Sequence, residues 1–271
     1  ITSNLVSSTT INTDFAETAI DTRQVNLTRF RLFYPEKRSF FLEDAGIFEF
    51  AKSDGGMMFG GSDFIPFFSR RIGLIQGWTQ DYEVPIRIGQ KLTGKIGRFD
   101  VGLLDVQTGR VAEDGKADGL TLASKNLAVG RVKANFMNQS YLGVLFTNGD
   151  PTGQTSNQMV GVDLKLATSN FLNRQKNLSL MLFGSKTHTS GLDRKDSSYG
   201  GTISYPNDLI SLQYKWMKIG EHYNPALGFL PRSGVRISSF NAQISPRPEF
   251  WNIRRIPFFI AYDDYYRMDR G

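Results

Sequence analysis

The stretch Met159-Val160-Gly161-Val162-Asp163-Leu164-Lys165-Leu166-Ala167 decides how the rest of the chain is read. Side chains of an extended strand alternate faces with a period of two. Val160, Val162, Leu164 and Leu166 therefore share one side, and Gly161, Asp163 and Lys165 share the other. A helix would scatter both sets around its circumference. The segment is a strand with one apolar and one charged face.

The same alternation recurs from residue 84 onward. Ile86, Ile88 and Leu92 oppose Arg87, Gly89 and Lys91, and a turn is expected at Gly94-Lys95. Phe99, Val101 and Leu103 oppose Arg98, Asp100 and Gly102. Ala128 to Phe136 and Tyr141 to Phe146 repeat the pattern on either side of the turn 137–140. Leu178 to Phe183, Gly200 to Tyr205, Ile210 to Met217, Val235 to Ile244 and Ile256 to Tyr262 complete the set. Polar loops are expected at 108–119, 148–157, 187–198 (carrying His188) and 220–234. No helix-length periodic segment lies between the strands, which argues against βαβ units. About ten strands in succession make an antiparallel meander, and short turns alternating with longer loops are the mark of outer-membrane barrels. The expected fold class is all-β: an antiparallel up-and-down outer-membrane β-barrel or a large fragment of one. Val160, Val162, Leu164, Leu166, Leu212 and Tyr214 should then point away from the barrel axis.

Composition narrows the chemistry. With no Cys, neither a disulfide framework nor a thiolate metal site is available. The only histidines, His188 and His222, stand far apart, and both read as loop residues. No phosphate loop, metal-ligand spacing or nucleophile elbow is present, so no cofactor and no catalytic residue is assigned. A net charge of +6 without a Lys/Arg block gives no support for nucleic acid. No run approaches the roughly 18–20 apolar residues of a membrane helix, but a barrel strand needs only about 9–11 alternating ones. No signal peptide is visible. The chain stops after a strand-like run without an aromatic terminal strand, and reads as a fragment cut at both ends.

Residues 1–80 differ from 81–271 and are expected to form a plug or periplasmic collar. A helical turn is expected around Thr28 to Phe33, stopped by Tyr34-Pro35. Phe40-Phe41-Leu42 reads as a buried strand or plug. Phe33, Phe40, Phe41 and Leu42 are expected to be buried. Glu36, Arg38, Glu43, Asp44, Arg70 and Arg71 form an N-terminal charge cluster. The Phe67-Phe68-Ser69-Arg70-Arg71 run suits either an anion clamp or, as the preferred reading, arginines paired with Glu36, Glu43 or Asp44.

On the polar face of the strands Arg87, Lys91, Arg98, Arg131, Lys133, Lys165 and Lys215 outnumber the acids Asp100 and Asp163. In a barrel they would face the lumen, because a charge in lipid at the midplane costs about 2–4 kcal/mol. A cationic lumen would favour a small anionic solute or an acidic plug, with Asp14, Glu17, Asp21, Glu36, Glu43 and Asp44 as the complement. The plainer alternative is a solvated face with cross-strand pairs worth about 0.2–1 kcal/mol each.

Several stretches carry a resemblance. Thr10 to Glu17, Asp21 to Leu27, Phe33-Tyr34-Pro35-Glu36-Lys37-Arg38-Ser39-Phe40-Phe41-Leu42-Glu43, Phe67 to Gly73, Pro85 to Gly97 and Tyr223 to Arg232 resemble an uncharacterised family of bacterial outer-membrane β-barrel proteins. The family is a domain of unknown function that commonly follows a carbohydrate-binding-like domain. The resemblance implies a barrel in the outer membrane of Gram-negative bacteria, further strands beyond this chain, and outer-membrane lipid as a partner. The resemblance implies no activity; the expected role is non-enzymatic surface binding or solute passage, glycan-related through the carbohydrate-binding-like domain that commonly precedes the barrel in that family. It carries no catalytic residues. Two other classes fit the residues: a soluble β-sheet binding module, and a membrane-barrel hydrolase with His188 or His222 as base.

Overall fold

The computed structural model describes residues 4–13, 33–54, 64–76, 81–111, 122–192, 194–248 and 253–268. The expected helical turn near Thr28 and the acids Asp14, Glu17 and Asp21 lie outside them.

The chain is all-β. Strand β1 spans Leu5–Ile11, and the short pair β2 (Leu74–Gln76) and β3 (Asp81–Glu83) forms a two-stranded sheet of its own. The wall continues with β4 (Ile86–Ile96), β5 (Phe99–Thr108), β6 (Asn126–Phe136), β7 (Ser140–Asn148) and β8 (Asn157–Thr168). It ends with β9 (Leu178–Thr189), β10 (Ser197–Pro206), β11 (Ile210–Ile219), β12 (Val235–Ile244) and β13 (Phe258–Arg267). Every neighbouring pair is antiparallel, in the order β1-β4-β5-β6-β7-β8-β9-β10-β11-β12-β13. Among the described residues β13 does not pair with β1, so the sheet of 11 strands is open.

The N-terminal segment is divided by this topology. Leu5–Ile11 belongs to the wall and pairs with β4, Ile11 opposite Ile88. The chain leaves the wall after Ile11, packs residues 33–54 and 64–76 against one face, and re-enters at Ile86. Within that plug, Ser39–Leu42 forms one α-helical turn, α1, and Ala45–Phe48 a 3-10 turn. Phe40-Phe41-Leu42, expected as a buried strand or a plug, is thus a helical turn rather than a strand. Successive helical side chains diverge, so Phe41 is buried while Leu42 is exposed. Phe40 is partly buried, and Phe33 is exposed although its ring stacks on Phe68 at 5.2 Å.

Other departures from the sequence reading have local causes. The turn between β4 and β5 falls at Gly97-Arg98, three residues later than Gly94-Lys95; Gly97 takes the left-handed φ of 58° that this tight connection needs. Strand β9 runs on to Thr189 because it keeps pairing with β8 as far as Asn157, so His188 sits on a strand rather than in a loop. A bulge lets Ile86 pair with Thr108 and Ile88 with Gln107, leaving Arg87 as the extra residue. Ile86 therefore turns inward, at 1% exposure, and Ile88 outward.

The connections differ at the two ends. The end holding 97–98, 137–139 and 207–209 is the turn end; the end holding 109–125, 149–156, 190–196 and 220–234 is the loop end. The contrast is uneven, since 169–177 and 245–257 are long connections at the turn end.

The polarity of the wall inverts along its strands. Toward the turn end the outward residues are apolar and exposed: Leu103, Val132, Val144, Val162, Leu182, Ile203, Leu212, Tyr214 and Phe240. Val160 and Leu166 are exposed in the same way, and Leu164 is half-buried. Toward the loop end the outward residues become Asp105, Asn126, Asn148, Gln158, Lys186, Lys218 and Arg236, while Val106, Leu127, Leu145, Met159, Ile219 and Ile237 are buried on the inner side. Strands β5, β6, β11 and β12 are consequently amphipathic twice, in opposite senses. On β5 to β8 the inner apolar end joins Ile72, Phe41, Phe48 and Phe50 of the plug and Leu227 of the 220–234 loop in one core, while Ile219 and Ile237 pack with Met217, Tyr223 and Val235 in a second.

Candidate functional site: the plugged inner face

Arg131 on β6 and Asp163 on β8 meet across β7. They can do so because the residue between them is Gly143, where a Cβ would stand 2.5 Å from Asp163 Oδ1 and 2.7 Å from Arg131 Nη1. Arg131 donates from Nη1 to Oδ1 at 2.6 Å and from Nη2 to Oδ2 at 2.8 Å, a bidentate geometry that only a guanidinium offers. Both side chains are fully buried. Asp163 Oδ2 also accepts from the Tyr141 hydroxyl at 3.1 Å and from the backbone N–H of Ala51 at 3.0 Å. The Phe50 ring lies 5.4 Å from the Arg131 guanidinium. The pair is a post on which the plug is seated.

The other inner cations do similar work. Lys91 Nζ donates to the carbonyls of Phe40 and Glu43, each at 2.7 Å, and lies 3.6 Å from the Glu43 carboxylate. Lys133 Nζ donates to the Gly46 carbonyl at 2.9 Å, and Lys165 Nζ to Asp54 Oδ1 at 2.7 Å. Thr93 Oγ1 donates to Asp44 at 2.7 Å. Lys215 lines the cavity between plug and wall. Two sequence candidates lie elsewhere: Arg87 occupies the bulge and Arg98 the β4–β5 turn, and both are exposed. An extra residue and a turn each break the strict alternation on which their assignment rested.

The plug has an internal knot built from two of its motifs. Arg38 donates from Nε and Nη2 to the two carboxylate oxygens of Glu36, at 2.9 and 2.8 Å. It also reaches the carbonyls of Ile72 and Ser69. Ser69 Oγ donates to Glu36 at 2.9 Å, and Arg70 donates to the Pro35 carbonyl. Arg71 reaches the Ala226 carbonyl at 3.4 Å. Of the expected arginine–acid pairs, the one formed is therefore Arg38–Glu36; Arg70 and Arg71 reach carbonyls. Burial acts to raise the Glu36 carboxyl, but the Arg38 guanidinium and N–H and the Ser69 hydroxyl outweigh it and hold it below the ordinary value of 4.5. A depressed folded-state value means that the knot stabilises fully above the unfolded carboxyl's pKa. That contribution is lost as pH falls through the lower folded value. Glu36→Gln is therefore expected to flatten the acid limb of the stability–pH curve relative to the parent chain, as read by urea midpoints from neutral pH to about pH 3.

The 220–234 loop folds back over the loop end and locks the plug from above. Ile65 and Phe229 form an antiparallel bridge, and Phe68 N donates to the Leu227 carbonyl at 2.7 Å. The buried Tyr223 hydroxyl meets Ser185 Oγ at 2.8 Å. Asn157 Nδ2 donates to the Asn224 carbonyl at 2.8 Å, while Thr187 Oγ1 accepts from Asn224 N.

Cavities remain among the described residues, two of them beside the plug. One of about 590 Å³ lies between plug and wall, lined by Phe41, Phe48, Phe50, Phe64, Phe67 and Met217 with Lys91 and Lys215. The other, about 500 Å³, opens at the loop end beside Arg71, Glu221, His222 and Asn224. His222 Nδ1 faces the Arg194 carbonyl at 3.0 Å. Among the described residues no group of three His, Asp or Glu side chains is arranged to hold a metal. Comparison with family models, with curated proteins and with solved structures found no match.

The sequence reading did not single out Phe50, Ala51, Asp54, Tyr141, Asn157 or Tyr223 as site residues. One signal was available. Gly143 and Gly161 sit on the charged face of neighbouring strands, and a missing side chain on such a face marks a close approach.

Proposed function

We propose that this chain is a large part of an outer-membrane β-barrel whose interior is occupied by residues 33–54 and 64–76. Its role is non-enzymatic binding at the bacterial surface, with outer-membrane lipid as its surroundings. The observation that carries this reading is the inverted wall. An exposed apolar band runs from Leu103 on β5 to Phe240 on β12, while a guanidinium and a carboxylate are fully buried on the opposite face. In water that arrangement leaves the band unburied; in lipid it becomes the favourable side. On β9 the outward residues Leu178, Leu180, Leu182 and Gly184 span roughly 20 Å along the strand at about 3.3 Å per residue, which at a tilt of roughly 40° covers roughly 15 Å of the about 25 Å band of membrane barrels. Closure would need strands that pair with the open edges of β1 and β13.

Binding is favoured over free passage of a small anion. Lys91, Arg131, Lys133 and Lys165 are engaged with the plug or with each other's partners, so they do not line an open path. The glycan association rests on the family resemblance alone.

Detergent dependence tests the reading. The purified chain is expected to stay monodisperse only above the critical micelle concentration and to float with phosphatidylcholine vesicles on a density gradient. A chain that is monodisperse in plain buffer and stays at the bottom of the gradient would make the apolar band the inner face of a soluble assembly.

A further inference from the structure

The line where the outward face changes from apolar to polar carries an unusual rung. Lys218 on β11 and Arg236 on β12 are direct cross-strand partners. Tyr199 lies opposite Lys218 on β10, and Tyr266 opposite Arg236 on β13. Four adjacent strands thus present Tyr, Lys, Arg and Tyr side by side. The Arg236 guanidinium stands 4.9 Å from the centre of the Tyr266 ring. One rung nearer the apolar band, Trp216 packs its ring 5.9 Å from that of Tyr199.

Like charges placed directly opposite each other destabilise a sheet unless something neutralises them. Among the described residues neither Lys218 nor Arg236 makes an ion pair. Asp264 shares the outward face one rung toward the band, opposite Ser238, and is bonded to neither cation. Lys186, at the same border on β9, does have a carboxylate, Asp196 at 3.8 Å. The Lys218–Arg236 pair is therefore a doubly positive rung without an ion pair among the described residues, flanked by amphipathic rings.

We infer that Lys218 and Arg236 bind the phosphate of an anionic lipid headgroup, with Tyr199, Trp216 and Tyr266 seated at headgroup depth. The inference rests on the membrane reading above and adds the ligand class and the residues. A guanidinium offers a planar fork to phosphate oxygens and an ammonium adds a point charge beside it. Long basic side chains at a hydrophobic border extend their heads toward the interface, and Tyr and Trp favour the same depth. The site opens sideways from the wall at the border of the band rather than into a cavity, which selects a lipid over a free anion.

The test compares the full chain with Lys218→Gln/Arg236→Gln. Both proteins are reconstituted with phosphatidylcholine vesicles and with vesicles containing phosphatidylglycerol, and retained lipid is counted by native mass spectrometry. The parent chain is expected to retain phosphatidylglycerol selectively. The double variant should lose roughly 30-fold in affinity for it, as two interfacial basic residues predict, yet insert into phosphatidylcholine as well as the parent. Raised salt should weaken the parent's selectivity. Equal phosphatidylglycerol retention by both proteins overturns the inference while leaving the membrane reading intact. Displacement of the lipid by millimolar inorganic phosphate overturns the lipid assignment in favour of a free-anion site. Failure of both proteins to float with either vesicle overturns the membrane reading and this site together.

Discussion

Asp163→Ala is expected to destabilise the protein by about 3–5 kcal/mol, because it strands the fully buried guanidinium of Arg131. The same change removes the acceptor for Ala51 N and for the Tyr141 hydroxyl, so the plug loses its seat as the wall loses its pair. Removing both charges is a different experiment. In Asp163→Leu/Arg131→Met the uncompensated charge is gone, and apolar groups of similar size often replace a buried pair at little cost. The double variant is therefore expected to recover much of the loss. Urea midpoints in detergent measure both. A single Asp163→Ala change worth less than about 1 kcal/mol would mean that water reaches Arg131 and that the inner face is solvated.

A charge placed on the opposite face should be nearly as damaging, for the opposite reason. Val162 is the outward neighbour of Asp163 on β8 and is 46% exposed. In lipid, Val162→Arg is expected to cost about 2–4 kcal/mol, whereas Gln158→Arg, at the polar border of the same strand, should cost about 0–1 kcal/mol. If the apolar band faces water, both changes fall within about 0.5 kcal/mol. Folding titrations of the two variants in lipid vesicles separate these outcomes, and the contrast between two positions on one strand cancels any general effect of added charge.

The alternation of residues 159–167 was sufficient to read the strands, because a period of two assigns faces without knowledge of the partner. Outward placement of Val160 and Val162 and inward placement of Asp163 and Lys165 follow from it directly. Four things did not follow. The role of Leu5–Ile11 depends on pairing with β4 across more than seventy intervening residues, and a Ser/Thr-rich strand has no apolar face to announce it. The bulge at Arg87 adds a residue without changing the composition of its strand. The inversion of polarity within β5, β6, β11 and β12 is hidden by the same alternation that reveals the strands, since apolar residues simply change from odd to even positions. Part of the plug's grip on the wall rests on carbonyls of Phe40, Glu43 and Gly46, and backbone acceptors leave no trace in a sequence.

The point of attachment of the plug limits how it can move. Ile11 and Ile88 are paired neighbours, so the segment 12–85 hangs from two adjacent strands at the same rim of the wall. It is a stopper on a double cord. Pulled free of Asp163 and Lys165, it stays tied to the wall at the loop end through β1 and β4. Even fully displaced, its effective concentration at its own seat stays that of a tethered chain, so the displaced state is short-lived unless a competitor occupies the seat. Unseating is thus a reversible competition at one rim of the sheet, and proteolysis at a single site in 12–85 would leave both pieces still moored.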